Sequence, residues 1–188
     1  MLEGKLVNVR LMREPDIEAY YELHENVNNR GLYYPIEPNT IMSITQLKKR
    51  FQEDGYWDPM NRFSVLLIED KSGSLIGRIN IFPARHGYDG YEIGWITFEQ
   101  VNRGKGYVSE AVRLVVHWMF DGLKINRIEA YIHPDNVASQ RVAEKCGLKH
   151  EAILRGIWFQ HGKYHDLMLY SILRSDLSFA KPSQITPP

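Results

Sequence analysis

Apolar and polar residues change their spacing several times along this chain, and each change predicts an element. "KLVNVRLM" near the N-terminus alternates, as a strand does. "EPDIEAYYELHENV" has Pro near its start and apolar positions at Ile17, Tyr20, Tyr21 and Leu23 or His24, a helical spacing. "NNRGLYYPIEPNT" is an irregular loop, and "SITQLKKRFQED", opened by a Ser cap and stopped before Gly55, is a second helix. "RFSVLLIED" and "LIGRINIF" flank "KSGS" as a hairpin, and "YEIGWITF" is a further strand. Val108, Ala111, Val112, Val115, Met119 and Leu123 then recur at helical spacing, with Gly122 marking the exit. "INRIEAYI" reads as a strand and "DNVASQRVAEKCG" as a helix with an Asp or Asn cap and Gly past its end. "LKHEAILRGIW" and "YHDLMLYSIL" are two closing strands around "QHGK".

The order is therefore β-α-α-β-β-β-α-β-α-β-β, an α/β (α+β) arrangement. The strand-helix-strand unit in its middle predicts a parallel pair inside a mostly antiparallel sheet. No linker composition breaks residues 1–178, which are expected to form one domain. Residues 179–188, rich in Pro and Ser, read as a frayed tail.

Composition narrows the function classes. With 44% apolar and 12% aromatic residues in 188, the chain can bury a substantial core. Its 23 basic residues balance 23 acidic ones, so no nucleic-acid partner is expected. Apolar runs such as Val65 to Ile68 are too short for a membrane span, and the charged N-terminus has no signal-peptide core. The single cysteine, Cys146, rules out an intrachain disulfide and fits a reducing, cytoplasmic setting. It lies beside a helix end among packing residues, where an inert buried thiol is expected rather than a reactive one.

The stretch "QVNRGKGYVSEAV" is the strongest chemical signal. Gly104 and Gly106 leave the backbone bare, Arg103 and Lys105 add charge, and a helix begins at once. Free N–H groups at a helix start, aided by the helix dipole, hold an anion such as a phosphate. On the glycines alone, a plain turn with solvated cations fits equally well. There is no third Gly for a dinucleotide fold and no Gly-Lys-Ser/Thr for a P-loop, so a phosphate ligand here would be of another kind.

"YEIGWITFEQVNRGKGYVSEAV", "NRIEAYIHPDNVASQRVAEKCGL" and "LRGIWFQHGKYHDLMLYSIL", in this order, resemble the Gcn5-related N-acetyltransferases (GNAT). More narrowly, they resemble the branch that includes the ribosomal-protein N-terminal acetyltransferases. The resemblance implies a single GNAT-like domain, with a mixed, mostly antiparallel sheet of about seven strands splayed at a central parallel pair, and about four helices. It implies acetyl-CoA as cosubstrate, its diphosphate on Arg103, Gly104, Lys105, Gly106, Tyr107 and Val108. The pantetheine arm is expected along the backbone of Trp95, Ile96 and Thr97. The family's Gln or Arg three residues before the first glycine is Val101 here, so binding rests on main-chain N–H groups.

Acetyl transfer to an amine requires a deprotonated amine, a polarised thioester and a proton for the leaving thiolate. Glu92 shares a strand face with Gly94 and Ile96 and is the candidate base, or else an exposed strand glutamate. Gly94 is expected to allow a bulge that spreads the strands. Asn136 and Ser139 share a face in the first turn of their helix. Simple capping accounts for both in isolation. Within the resemblance, Asn136 reaches the pantetheine arm and Ser139 protonates the thiolate. His133 is a second possible base or a packing residue, and Tyr164 and Asp166 fit the core better than catalysis. No His, Cys or carboxylate set has metal-ligand spacing, so no metal is expected.

The acceptor site implied by the family includes Tyr33, Tyr34, Trp57 and Trp158, a set that can form a pocket for a cation or merely cover the core. Trp158 stands where the ribosomal-protein branch has a glutamate. The acceptor is accordingly either a protein N-terminal amine or a small-molecule amine. The rival class is a catalytically silent acyl-CoA-binding module that serves sensing or partner recognition.

Overall fold

The computed structural model of the chain describes residues 1–25, 43–54, 64–84 and 89–177. Its strands are β1 (Leu2–Glu3), β2 (Val7–Leu11), β3 (Ser64–Asp70), β4 (Leu75–Pro83), β5 (Gly90–Thr97), β6 (Arg127–Ile132), β7 (Lys149–Gln160) and β8 (Lys163–Leu173). Its α-helices are α1 (Ile17–Glu25), α2 (Ile44–Asp54), α3 (Tyr107–Gly122) and α4 (Val137–Lys145). The strands form one sheet of eight in the order β1-β2-β3-β4-β5-β6-β8-β7. The added eighth strand is the two-residue β1, which pairs antiparallel with β2 through Leu2–Val9 and Glu3–Asn8. It is too short to leave a periodic signature in the sequence.

The sheet buries two faces, for a reason legible in strand alternation. Ile79, Ile81 and Ile93 lie with Ala111, Val112, Val115, Val116, Met119 and Phe120 of α3 and Ala143 of α4 in the larger core. Val65 and Leu67, one residue out of phase with that set, pack on the opposite face with Tyr20 of α1 and Leu47 of α2. β4 is buried along both faces, so its polar residues Arg78 and Asn80 are buried too. The Arg78 guanidinium donates to the Tyr20 hydroxyl.

Every neighbouring pair is antiparallel except β5 and β6. That parallel pair is short: Gly90 to Glu92 opposite Arg127 to Glu129. Beyond it β5 stays with β4 as far as Thr97, and β6 stays with β8 as far as Ile132. The sheet therefore parts at its centre. The β4–β5 register runs unbroken through the Asn80–Gly94 pair, so the expected bulge at Gly94 is absent. The parting comes instead from each strand following its antiparallel partner, the stronger pairing.

Candidate active site

The bare stretch after β5 folds into a short 3-10 turn, Gln100–Asn102, and then a tight loop into α3. Gly104 has φ of 77° and Gly106 has φ of 86°, left-handed conformations that side chains with a Cβ avoid. Gly106 is the residue before the first turn of α3, and no side chain caps that start among the described residues. The first-turn amides, which no helix can satisfy internally, are thus left to an outside acceptor. Arg103, Gly104, Lys105 and Gly106 are exposed, while Tyr107 and Val108 are half-buried. Val101 is 68% exposed, which suits a position with no side-chain task.

From Ile93 to Thr97 β5 runs without β6 beside it, a stretch of about 16 Å at ~3.3 Å per residue. It leads from the parting of the sheet toward the loop. Trp95, Ile96 and Thr97 lie on it, all half-buried, and the Trp95 indole nitrogen is buried with no hydrogen-bond partner. Trp95 packs with the α3 core. By alternation Glu92, Gly94 and Ile96 face the other side, the one that carries α1 and α2.

At the start of α4 the Asn136 side-chain oxygen accepts the Ser139 main-chain N–H at 3.2 Å. This is the simple cap that the spacing allows, and it leaves the Ser139 hydroxyl outside the cap. The other end of α4 lies by the start of α3, where the Cys146 thiol reaches the Ser109 carbonyl at 3.2 Å. From Ser139 to Cys146 is seven residues along α4, so roughly 10 Å of helix separates Ser139 from the first turn of α3. Burial pushes the Cys146 thiol up to about 11, which fits an inert core residue.

His133 leads from β6 into α4. The Asp135 N–H donates to His133 Nδ1 at 3.1 Å, so His133 carries its proton on Nε2 and donates it to His165 Nδ1 at 3.1 Å. His165 Nε2 in turn faces the Gln160 carbonyl at 3.2 Å. Burial holds the His133 imidazole below its ordinary value. Both nitrogens of each ring are engaged, so His133 here is a positioned packing residue rather than an open base. Trp158, half-buried, sits against this pair, its ring 6.0 Å from His133 and 5.8 Å from His165. A bulge in β7 between Leu154 and Trp158 sets that placement. Asp166 pins the bulge by accepting the Gly156 N–H at 2.8 Å. Asp166 and Tyr164, expected in the core, are both exposed, Tyr164 at 71%.

Glu129 is a buried carboxylate beside the parting of the sheet that sequence reasoning misses. It is 3% exposed and stands beside Glu92 on the last parallel rung before the strands part. Arg127 Nε donates to it at 2.7 Å and the Tyr131 hydroxyl at 3.1 Å. A signal for it exists: Arg127, Glu129 and Tyr131 alternate on a strand central enough to be buried on both faces, where a carboxylate needs partners. Tyr33, Tyr34 and Trp57 lie outside the described residues, as does the tail 179–188. Among the described residues no group of His, Cys, Asp and Glu is placed to hold a metal ion, and no helix is long and apolar enough to cross a membrane.

The family description "Acetyltransferase (GNAT) domain" matches residues 7–149. YjcK of Bacillus subtilis (strain 168), named as a probable N-acetyltransferase, is 31% identical over 192 residues, covering 94% of this chain and 98% of its own. YdaF of the same bacterium, named for ribosomal N-acetylation, is 27% identical over 174 residues, covering 90% of this chain and 92% of its own. A solved spermidine N-acetyltransferase from Vibrio cholerae, in complex with CoA and spermine, superposes with a TM-score of 0.75 at 21% identity, covering 92% of this chain and 98% of that one.

Proposed function

This chain belongs to the GNAT acetyltransferases, and we propose that it moves an acetyl group from acetyl-CoA to a primary amine by direct attack in a ternary complex. The observation that carries this reading is the uncapped start of α3 beside a sheet that parts at β5 and β6. In this reading the coenzyme diphosphate accepts the main-chain N–H groups from Gly104 to Val108. Arg103 and Lys105 supply charge from the rim. The pantetheine arm runs along the backbone of Trp95, Ile96 and Thr97, on the edge that β5 presents where β6 has left it.

The donor and acceptor sides then meet through the gap in the sheet. The thioester lies near Asn136 and Ser139, and the Ser139 hydroxyl, at the positive end of α4, donates to the departing thiolate. Glu92, on the α1 and α2 face, takes the amine proton directly or through water. The amine attacks the thioester carbon, the tetrahedral intermediate collapses, and the C–S bond breaks as the sulfur gains a proton. Residues 1–178 act as a single catalytic domain.

The acceptor is a small-molecule amine or a protein N-terminal amine. Trp158 in place of the branch's glutamate favours the first, and the likeness to a structure that holds spermine supports it. A thiol-release assay over both classes of amine, on the native chain and Ser139→Ala, tests the proposal. Release with at least one amine, and its loss in the variant, is expected. CoA binding with no release for any amine would make the chain a silent acyl-CoA-binding module instead.

A further inference from the structure

Glu110 has no part in the chemistry above, yet it ties the start of the coenzyme-loop helix to a distant part of the chain. It lies in the first turn of α3. Its carboxylate accepts three consecutive main-chain N–H groups from the turn after β1 and the first residue of β2: Lys5 at 3.0 Å, Leu6 at 2.7 Å and Val7 at 2.9 Å. Such a run of converging amides is an anion nest, here filled by the protein's own carboxylate. The turn is shaped for it. Gly4 closes it by donating to the Val7 carbonyl at 2.8 Å, and a Cβ at Gly4 would stand 2.5 Å from Glu110 Oε2. The Leu6 side chain of the same turn lies 3.6 Å from where a Cβ on Gly106 would be.

We propose that this nest makes Glu110 a positioning residue for acetyl-CoA, an inference that rests on the diphosphate reading of the loop. Two physical needs are met at once. A loop with two left-handed glycines is conformationally soft, and the strap from Glu110 to the N-terminal turn braces its exit into the helix. A carboxylate in the first turn would otherwise repel a diphosphate bound there. Three main-chain donors on the N-terminal turn take up its charge, leaving the first-turn amides to the coenzyme.

The test compares two acetyl donors on the full chain: acetyl-CoA, and S-acetylpantetheine, which lacks the diphosphate. Glu110→Gln keeps the side-chain size and removes the charge. Gly4→Ala displaces the same carboxylate from the far side without altering α3, so either variant can be read if the other does not fold. Gly4→Ala, which frees the charge toward the diphosphate, is expected to raise KM for acetyl-CoA about tenfold, the scale of one charge-assisted hydrogen bond. Glu110→Gln, which loosens the strap but removes the repelling charge, is expected to raise it by less. Activity with S-acetylpantetheine and kcat at saturating acetyl-CoA should stay within about threefold of native, since neither depends on the diphosphate. The double variant should be no worse than the worse single one, because both undo the same strap. A native preference for acetyl-CoA that survives intact in either folded variant, or an equal loss with both donors, overturns the role of Glu110. A native chain with no preference for acetyl-CoA overturns the diphosphate reading itself.

Discussion

α3 and α4 both begin beside the gap in the sheet, yet they begin differently. α4 is closed by its own sequence, with the Asn136 side chain holding the Ser139 N–H. α3 starts from a left-handed glycine with no side-chain cap. A helix start that satisfies its own amides frees a neighbouring side chain for chemistry. One that leaves them open invites an anion. On this contrast the proposed reaction assigns catalysis to the start of α4 and coenzyme binding to the start of α3.

The sharpest way to break this division is at α4. Ser139→Ala should lower kcat by about 10²–10⁴-fold, the range for loss of a positioned proton donor, with KM for acetyl-CoA nearly unchanged. A rise in KM at constant kcat would assign Ser139 to binding. At α3, Gly104→Val imposes a Cβ on a φ of 77° and obstructs backbone approach. That obstruction is expected to weaken the Kd for CoA about tenfold by calorimetry. Unchanged affinity would remove the diphosphate from this loop.

Asn136→Ala should cost about 1 kcal/mol in a urea titration, with Asn136→Asp retaining most of it, because α4, unlike α3, has a side-chain cap to lose. The smallest expected effect is in pH. The His133 imidazole is held below its ordinary value of 6.5, so the folded chain binds its proton less readily than the unfolded chain does. Its contribution is complete above pH 6.5 and is lost as pH falls through the lower folded value. Trp158 fluorescence should report this, and His133→Gln should flatten that part of the profile. An identical profile in the variant would remove His133 as its source.

Element order and the parallel pair are legible in the sequence because strand alternation and helical spacing are local properties. The loop is legible because two glycines flanked by cations before a helix are contiguous. Glu110 is not, since its partners lie 103 to 105 residues away and an acidic residue in a first helical turn is ordinary. The environment of Trp158 depends on a bulge pinned by Asp166 from the next strand, which alternation alone assigns to the wrong surroundings. For the gap in the sheet, sequence suggests a glycine bulge, because it shows a permissive residue but not which partner each strand will follow.

The diphosphate site can be read at single-amide resolution by following ¹H–¹⁵N correlations of the labelled chain as CoA is added. The account predicts that the largest shifts fall on the N–H groups of Gly104, Gly106, Tyr107 and Val108, with smaller ones at Trp95 to Thr97. If those four stay still while the largest movements cluster at the start of α4 or elsewhere, the assignment of the open helix start to the coenzyme is wrong.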